Sequence, residues 1–393
     1  MNSEVNYVII ASRVGEPFSP GSGFCLDTGK HYTFLLFCFP PLCSASASLK
    51  RCSGCKVFHY CGQACQMKDW KSGHKGRECK IYAQLNSTTD EKEGELLRIQ
   101  SAQFLLRVYL TLRMRPALCD QEFRMPDGSS RSFKNLMTHM NELLADEMRM
   151  RCFHSTVRLF KPLVPDLDVE LLLVFYAKIC INSFSILNLS LNAIGSGMYI
   201  EASVFNHSCR PNATTIWNGR RLEVRAIRDI PTGKEITTNY VDIKKNRSER
   251  QTELRDHYYF TCACDRCRDQ CEEDDVWTLI SQLNERMDDL ICQKSDQQEG
   301  AGDREEKFRE IYLCAIRSLP LYEQIYGEFH PDLTIQLMRA VKARANMKQV
   351  PDEYLSGDPA DSILFLIQRL RRCLQVTHSE NHPIFREFAQ FFQ

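Results

Sequence analysis

Cysteine placement constrains this chain more than any other feature. Nineteen cysteines occur in 393 residues, and most of those before residue 80 stand in short groups mixed with histidine. Between residues 38 and 79 the candidate ligands are Cys38, Cys43, Cys52, Cys55, Cys61, Cys65, His74 and Cys79. Eight such donors suit two closed tetrahedral zinc sites. Farther on, Cys262-x-Cys264-x-x-Cys267 offers three more, one short of a tetrahedral set. In a chain this long the grouping points to zinc in a reducing compartment, the cytoplasm or nucleus, and not to secreted disulfides.

With 43% hydrophobic residues the chain can bury a large core, and its length suggests two or three domains. Lysine plus arginine equals aspartate plus glutamate at 50 each, so no global field recruits nucleic acid or an anionic membrane. The most apolar stretch, Tyr32 to Leu42, falls short of the roughly 20 residues of a spanning helix. It also lacks the basic flank and cleavage site of a signal peptide. Residues 38–80 carry a net charge of +6; counting two zinc ions and seven thiolates leaves +3. Weak nucleic-acid contact there competes with a plain solvated lysine face.

The stretch on which the rest is organised runs from Ser203 to Cys267. It opens Ser203-Val204-Phe205-Asn206-His207-Ser208-Cys209-Arg210-Pro211-Asn212, passes Glu235-Ile236-Thr237-Thr238-Asn239-Tyr240, and ends Tyr258-Tyr259-Phe260-Thr261-Cys262-Ala263-Cys264-Asp265-Arg266-Cys267. In that order and spacing these motifs resemble a SET domain, and with the upstream cysteines the chain resembles the SMYD lysine methyltransferases. The fold this implies is α+β: small SET-type β-sheets split by an inserted MYND zinc finger and a helical insert, with an all-α, tetratricopeptide-like C-terminal domain.

The expected divisions are an atypical N-terminal segment (1–37), MYND finger (38–79), helical insert (80–198), SET core (199–245), post-SET zinc segment (246–275) and helical C-terminal domain (276–393). In the first segment Gly21-Ser22-Gly23 is the one candidate for the family's cofactor-approaching Gly-x-Gly, and too few residues follow it to supply the usual SET strands. The resemblance pairs the finger ligands as Cys38, Cys43, Cys61 and Cys65 in one site and Cys52, Cys55, His74 and Cys79 in the other. Pro40 stands where the family's first cysteine would lie, so Cys38 must reach in its place. Cys209 is implied as the fourth ligand for Cys262, Cys264 and Cys267, which makes three zinc sites in all.

Residues 93–114 and 133–150 have helical apolar spacing, with Pro116 closing the first, and Val169 to Ala177 reads as a buried helix. Asn218-Gly219 between two β-rich runs marks a hairpin. Phe308–Tyr326, Asp332–Met347 and Ile363–Val376 read as amphipathic helices. Gly327-Glu328-Phe329-His330-Pro331 is echoed by Ser379-Glu380-Asn381-His382-Pro383, a hint of repeated helix pairs.

What the resemblance implies is a protein-lysine N-methyltransferase that uses S-adenosyl-L-methionine (SAM). Tyr240, Tyr258 and Phe184 would line the lysine channel, and Ser203, Asn206, His207, Asn182, His139, Tyr240 and Phe260 would hold the cofactor, with Phe260 stacked on adenine. Implied partners are histone tails or other lysine-containing proteins, with proline-rich peptides at the finger, the chain acting as a monomer in nucleus and cytoplasm and regulating chromatin. Two other readings compete: an inactive SET/MYND adaptor, and a sequence-specific DNA-binding zinc protein, which the ligand order disfavours.

Overall fold

The computed structural model describes residues 23–25, 34–35, 50–60, 62–87, 100–125, 128–218, 221–269, 274–292, 301–347 and 363–389. The hairpin expected at Asn218-Gly219 forms from strands Ala213–Asn218 and Arg221–Ala226, closed by the pair Asn218↔Arg221. Asn218 thus still belongs to the ladder, and residues 219 and 220 lie outside the described residues. Strand Gly23–Cys25 pairs antiparallel with the other edge of Arg221–Ala226. A second three-stranded sheet joins Phe34–Leu35, Ala193–Met198 and Ser183–Leu187. Residues 23–25 and 34–35 thus add one short edge strand to each of the two three-stranded sheets. An edge strand needs only a few ladder pairings, and very short ones are a common way to close a sheet.

Around the sheets lies the insert. Helix Gln100–Met114 fills most of the first expected run, with residues 93–99 outside the described chain. The second run, 133–150, is not one helix. It divides into a 3-10 turn at Phe133–Asn135 and helices Met140–Ala145 and Glu147–Phe160, with Leu136 extended and His139 left-handed at φ 46°. The cause is tertiary. Buried Lys178 donates to the carbonyls of Lys134 and Leu136 at 2.8 Å each, and Asn182 donates to that of Met137 at 2.9 Å. Those acceptors are unavailable to a continuous helix, so long-range bonds override local periodicity. Asp146 then restarts the helix by accepting from the Arg149 N–H at 3.0 Å. Lys178 and Asn182 come from the expected buried helix, Val169–Asn182, itself capped by Asp168.

The C-terminal region is helical: Asp274–Cys292, Ala301–Tyr326, Pro331–Ala345, Ile363–Thr377 and Pro383–Ala389. The echoed His-Pro pairs turn out to be equivalent caps. His330 Nδ1 accepts from the Asp332 N–H at 3.2 Å and His382 Nδ1 from the Ile384 N–H at 3.3 Å, each ahead of a helix that opens on proline. This region docks on the sheets through Arg225, which donates to the Val376 carbonyl at 2.9 Å, and through Ser379, which donates to Glu223 at 3.1 Å. Lys244 bridges the lobes at 3.0 Å from Asp332 and 3.4 Å from Asp242. Burial opposes its charge, but the two carboxylates hold its pKa above the ordinary lysine value.

At the same seam His382 Nε2 donates to the Trp217 carbonyl at 3.1 Å, and its ring lies 4.6 Å from that of His378. With Nε2 donating and Nδ1 accepting, His382 must be neutral. Burial lowers the pKa of both histidines; the His378 shift is reinforced by His382, Arg225 and His330, and the His382 shift is opposed by its bond to the Trp217 carbonyl and then by Glu223. A depressed folded pKa contributes stability above the unfolded value, near 6.5, and loses it as pH falls toward the folded one. Thermal melts between pH 7.5 and 5.5 are expected to show stability falling by up to about 1.4 kcal/mol per pH unit for each histidine. A His378→Asn, His382→Asn double variant should flatten that slope; an unchanged slope would refute the assignment.

Candidate active site

Two clusters have the chemistry of zinc sites. The donor atoms of Cys52, Cys55, His74 and Cys79 lie within 4.8 Å of one another, as do those of Cys209, Cys262, Cys264 and Cys267. None of these cysteines is disulfide-bonded. Both sets match the sequence expectation. In the third expected set Cys38, Cys43 and Cys61 lie outside the described residues, and Cys65, on the helix Gln63–Asp69, is half-buried.

Local sequence explains how the finger cluster closes. Gly54 sits between Cys52 and Cys55, and a Cβ there would meet the Cys79 sulfur at 2.9 Å, so the bare backbone lets that sulfur approach. Gly76, at φ 81°, kinks the helical stretch between His74 and Cys79 and turns both inward. His74 Nε2 lies 3.6 Å from Cys55 Sγ while its Nδ1 bonds Glu78 at 2.7 Å, the carboxylate–histidine arrangement that orients a zinc ligand. Glu78 is gripped by Arg107 at 2.9 and 2.8 Å, and Arg107 also holds Asp69, which accepts from the Tyr60 hydroxyl at 2.7 Å. Burial alone would raise the Glu78 pKa; Arg107 and His74 bring it down to about 2.

The second cluster is equally well supported. Gln251 exchanges two bonds with the Cys262 backbone, at 2.8 and 2.9 Å, and Arg266 donates to the carbonyls of Cys209 and Ile243. Arg250, fully buried, points Nε at the Cys209 sulfur from 3.3 Å. Arg250 also donates to the Lys245 carbonyl, and its charge beside the Cys209 sulfur complements the net negative charge that four thiolates around one zinc ion retain. The donor sets therefore fit zinc.

From this cluster a chain of bonds reaches the aromatic residues. Burial lowers the His207 pKa to about 4, so the ring is neutral. Its Nδ1 accepts from the Tyr240 N–H at 3.0 Å, which leaves the proton on Nε2 to donate to Cys209 Sγ at 3.2 Å. The Tyr240 hydroxyl donates to the Phe205 carbonyl at 2.5 Å. Its ring centroid lies 4.9 Å from that of Tyr258 and 6.4 Å, edge-on, from that of Phe260. Burial, then the neighbouring Tyr258, raises the Tyr240 pKa, and burial raises that of Tyr258, so both hydroxyls stay protonated.

The other expected site residues are distributed as follows. Asn206 and His207 form a two-residue parallel pairing with Thr237–Thr238, shorter than the strand expected over 235–240. The Asn206 amide donates to Glu235 at 2.8 Å and the Ser203 hydroxyl to the Ile200 carbonyl at 2.7 Å. Phe184 packs edge-on against Tyr199, its ring contact, at 5.8 Å. Asn182 donates to the Met137 carbonyl, two residues before His139, whose ring faces Tyr259. A cavity of about 390 Å³ opens beside His207 and Phe260, lined also by Ser208, Glu235, Thr237 and Cys264.

Sequence reasoning missed Asn212, whose side chain accepts from the Thr237 N–H and donates to the Glu235 carbonyl, both at 2.8 Å. Its signal was present, since Pro211-Asn212 closes the same motif as Asn206 and His207. Gln251, Arg250 and Arg266 carried no signal, because their roles depend on which residues the fold brings beside the cysteines.

The SET domain family model matches residues 53–241. Among curated proteins the chain is similar to human (Homo sapiens) "Histone-lysine N-methyltransferase SMYD3", 33% identical over 391 residues that take in 86% of this chain and 83% of that protein. It is 30% identical over 230 residues to "Histone-lysine N-methyltransferase ASHR1" of Arabidopsis thaliana, spanning 57% of this chain and 45% of the relative. With "N-lysine methyltransferase SMYD2" of Sus scrofa it shares 27% over 274 residues, 68% of this chain and 57% of that protein.

Proposed function

The chain belongs to the SMYD family of SET-domain methyltransferases, and from that premise we propose how it works as a SAM-dependent protein-lysine N-methyltransferase. In this reading Tyr240, Tyr258 and Phe184 line the channel for the substrate lysine, while Ser203, Asn206, His207, Asn182, His139 and Phe260 hold the cofactor beside Tyr240. The observation that carries it is the bonded run from Cys209 through His207 to Tyr240, with Tyr258 and Phe260 packed against the same ring.

SAM supplies a methyl group already activated on a sulfonium, so the protein's share of the work is positioning. It must also present a neutral amine. At neutral pH only on the order of one lysine in a thousand is deprotonated, a cost of roughly 4–5 kcal/mol. Buried aromatic walls disfavour the ammonium form and reduce that cost. Tyr240 is not the base, because its hydroxyl is protonated and committed to the Phe205 carbonyl; it fixes the amine's approach.

Zinc held by the two described clusters would fix the finger and the post-SET segment without entering the chemistry, and a third ion would sit with Cys38, Cys43, Cys61 and Cys65. Histone tails and other lysine-bearing proteins are the proposed substrates, with proline-rich peptides at the finger and action in nucleus and cytoplasm. The adaptor alternative leaned on the unusual first 37 residues, and the pairings of Gly23–Cys25 and Phe34–Leu35 remove much of that support.

Calorimetry on the zinc-loaded chain is expected to detect SAM binding, weakened roughly tenfold, about 1.4 kcal/mol, by Asn206→Ala. A folded wild-type chain that takes up no heat from SAM would refute this reading.

A further inference from the structure

Among the described residues four non-glycine side chains sit on left-handed backbone, and two of them face each other. His139 at φ 46° and Tyr259 at φ 60° have ring centroids 5.9 Å apart. Left-handed backbone is costly for any residue with a Cβ, and glycine would fill either position at less cost. Strain of this kind persists where the surroundings enforce it, often beside functional residues. Tyr259 is the cap of helix Arg247–Tyr258, its N–H reaching the Arg255 carbonyl at 3.1 Å. One strained residue therefore sets the angle between Tyr258 and Phe260.

What enforces it comes from the helical insert. Arg149 Nη2 donates to the carbonyls of Asp256 and His257, at 3.0 and 2.9 Å, in the last turn of that helix. Its guanidinium lies 5.0 Å from the centre of the Tyr259 ring, a cation–π contact, and its Nε is 3.4 Å from Asp146. The Tyr259 hydroxyl donates to the same Asp146 carboxylate at 3.2 Å. The Arg149 carbonyl in turn accepts from Tyr176 at 3.2 Å. Arg149 also meets the Cys180 thiol, and His139 Nδ1 lies 3.9 Å from Glu142; both residues touch the Tyr259 ring.

We infer that Arg149 is a positioning residue: with Asp146 it clamps Tyr259 in its strained turn and so fixes Tyr258 and Phe260 relative to Tyr240. The inference rests on the methyltransferase reading, since its readout is the cofactor that Phe260 is proposed to stack upon. Arg149 touches no reacting atom. It couples the insert to the post-SET segment, and the side chain of Tyr259 is the handle by which the insert holds that segment.

The test is SAM calorimetry on the zinc-loaded full chain, with thermal midpoints recorded alongside. Arg149→Met and Tyr259→Gly are expected to weaken SAM binding roughly tenfold while melting near the wild-type midpoint; glycine keeps the left-handed turn and removes only the handle. Tyr259→Phe keeps the ring under Arg149 and should bind within about threefold of wild type. Wild-type affinity in both disruptive variants, beside a wild-type chain that does bind SAM, overturns the inference and leaves the methyltransferase reading standing. Affinity that falls only in step with the thermal midpoint overturns it as well, by reducing Arg149 to a structural role. A folded wild-type chain that binds no SAM fails the methyltransferase reading itself, and the inference with it.

Discussion

Arg107→Ala is expected to destabilise the chain by about 3–5 kcal/mol, with a lower thermal midpoint and faster loss of zinc from the finger. Arg107 is buried and holds two buried carboxylates, Glu78 and Asp69, through four contacts of 2.8–3.3 Å. It also lies 5.1 Å from the centre of the Phe58 ring. Removing it strips both buried acids of their guanidinium partner, while Asp69 still accepts from the Tyr60 hydroxyl and Glu78 still bonds the His74 ring. Glu78, now held at a pKa of about 2, would take up a proton instead, and the neutral acid would support the His74 Nδ1–H less well. Loss of such a partner typically costs 10–100-fold in metal affinity. Arg107→Lys, which keeps the charge but cannot reach both acids with a planar fork, should fall between. Zinc release to a chromophoric chelator and a thermal melt would measure the two effects, and a wild-type midpoint for Arg107→Ala would count against the network.

This network shows where sequence reading stops. The finger's donors were legible because they lie in one short stretch, and the family resemblance implied the grouping Cys52, Cys55, His74 and Cys79. Arg107 was not, because it lies on another helix and reads locally as one arginine in an amphipathic run. His139 fails for a related reason. Periodicity placed it inside a helix, but Lys178 and Asn182, some forty residues on, take the carbonyls that helix would need. The two edge strands near the N-terminus escaped notice because two or three residues carry no period. The hairpin was legible, since an Asn-Gly beside a turn is local chemistry; the His-Pro stretches were read only as a repeat echo, and their capping role emerged from the structure.

The largest functional loss is expected from Cys209→Ser. Cys209 lies at the centre of the post-SET cluster, 3.5 Å from Cys267, and its sulfur also takes the Nε2 proton of His207 and faces Arg250. Without it three cysteines remain, a set that structural zinc does not favour. The buried Arg250 loses its countercharge, and His207 loses the acceptor that fixes its tautomer, so the bond from Nδ1 to the Tyr240 backbone is no longer enforced. The tail that carries Tyr258 and Phe260 is released in the same event. SAM affinity should fall by more than about 100-fold, roughly 2.7 kcal/mol, and lysine methylation should drop below detection.

The control is Cys52→Ser, which breaks the finger cluster instead. It should lower stability yet leave SAM affinity within a few-fold, because the bonded run to Tyr240 starts at Cys209 and not in the finger. Calorimetry with zinc stoichiometry measured on each variant separates the two. If Cys209→Ser lost its zinc and still bound SAM as wild type does, His207 and Tyr240 would be held by the sheet alone, and the metal would have no part in shaping the site.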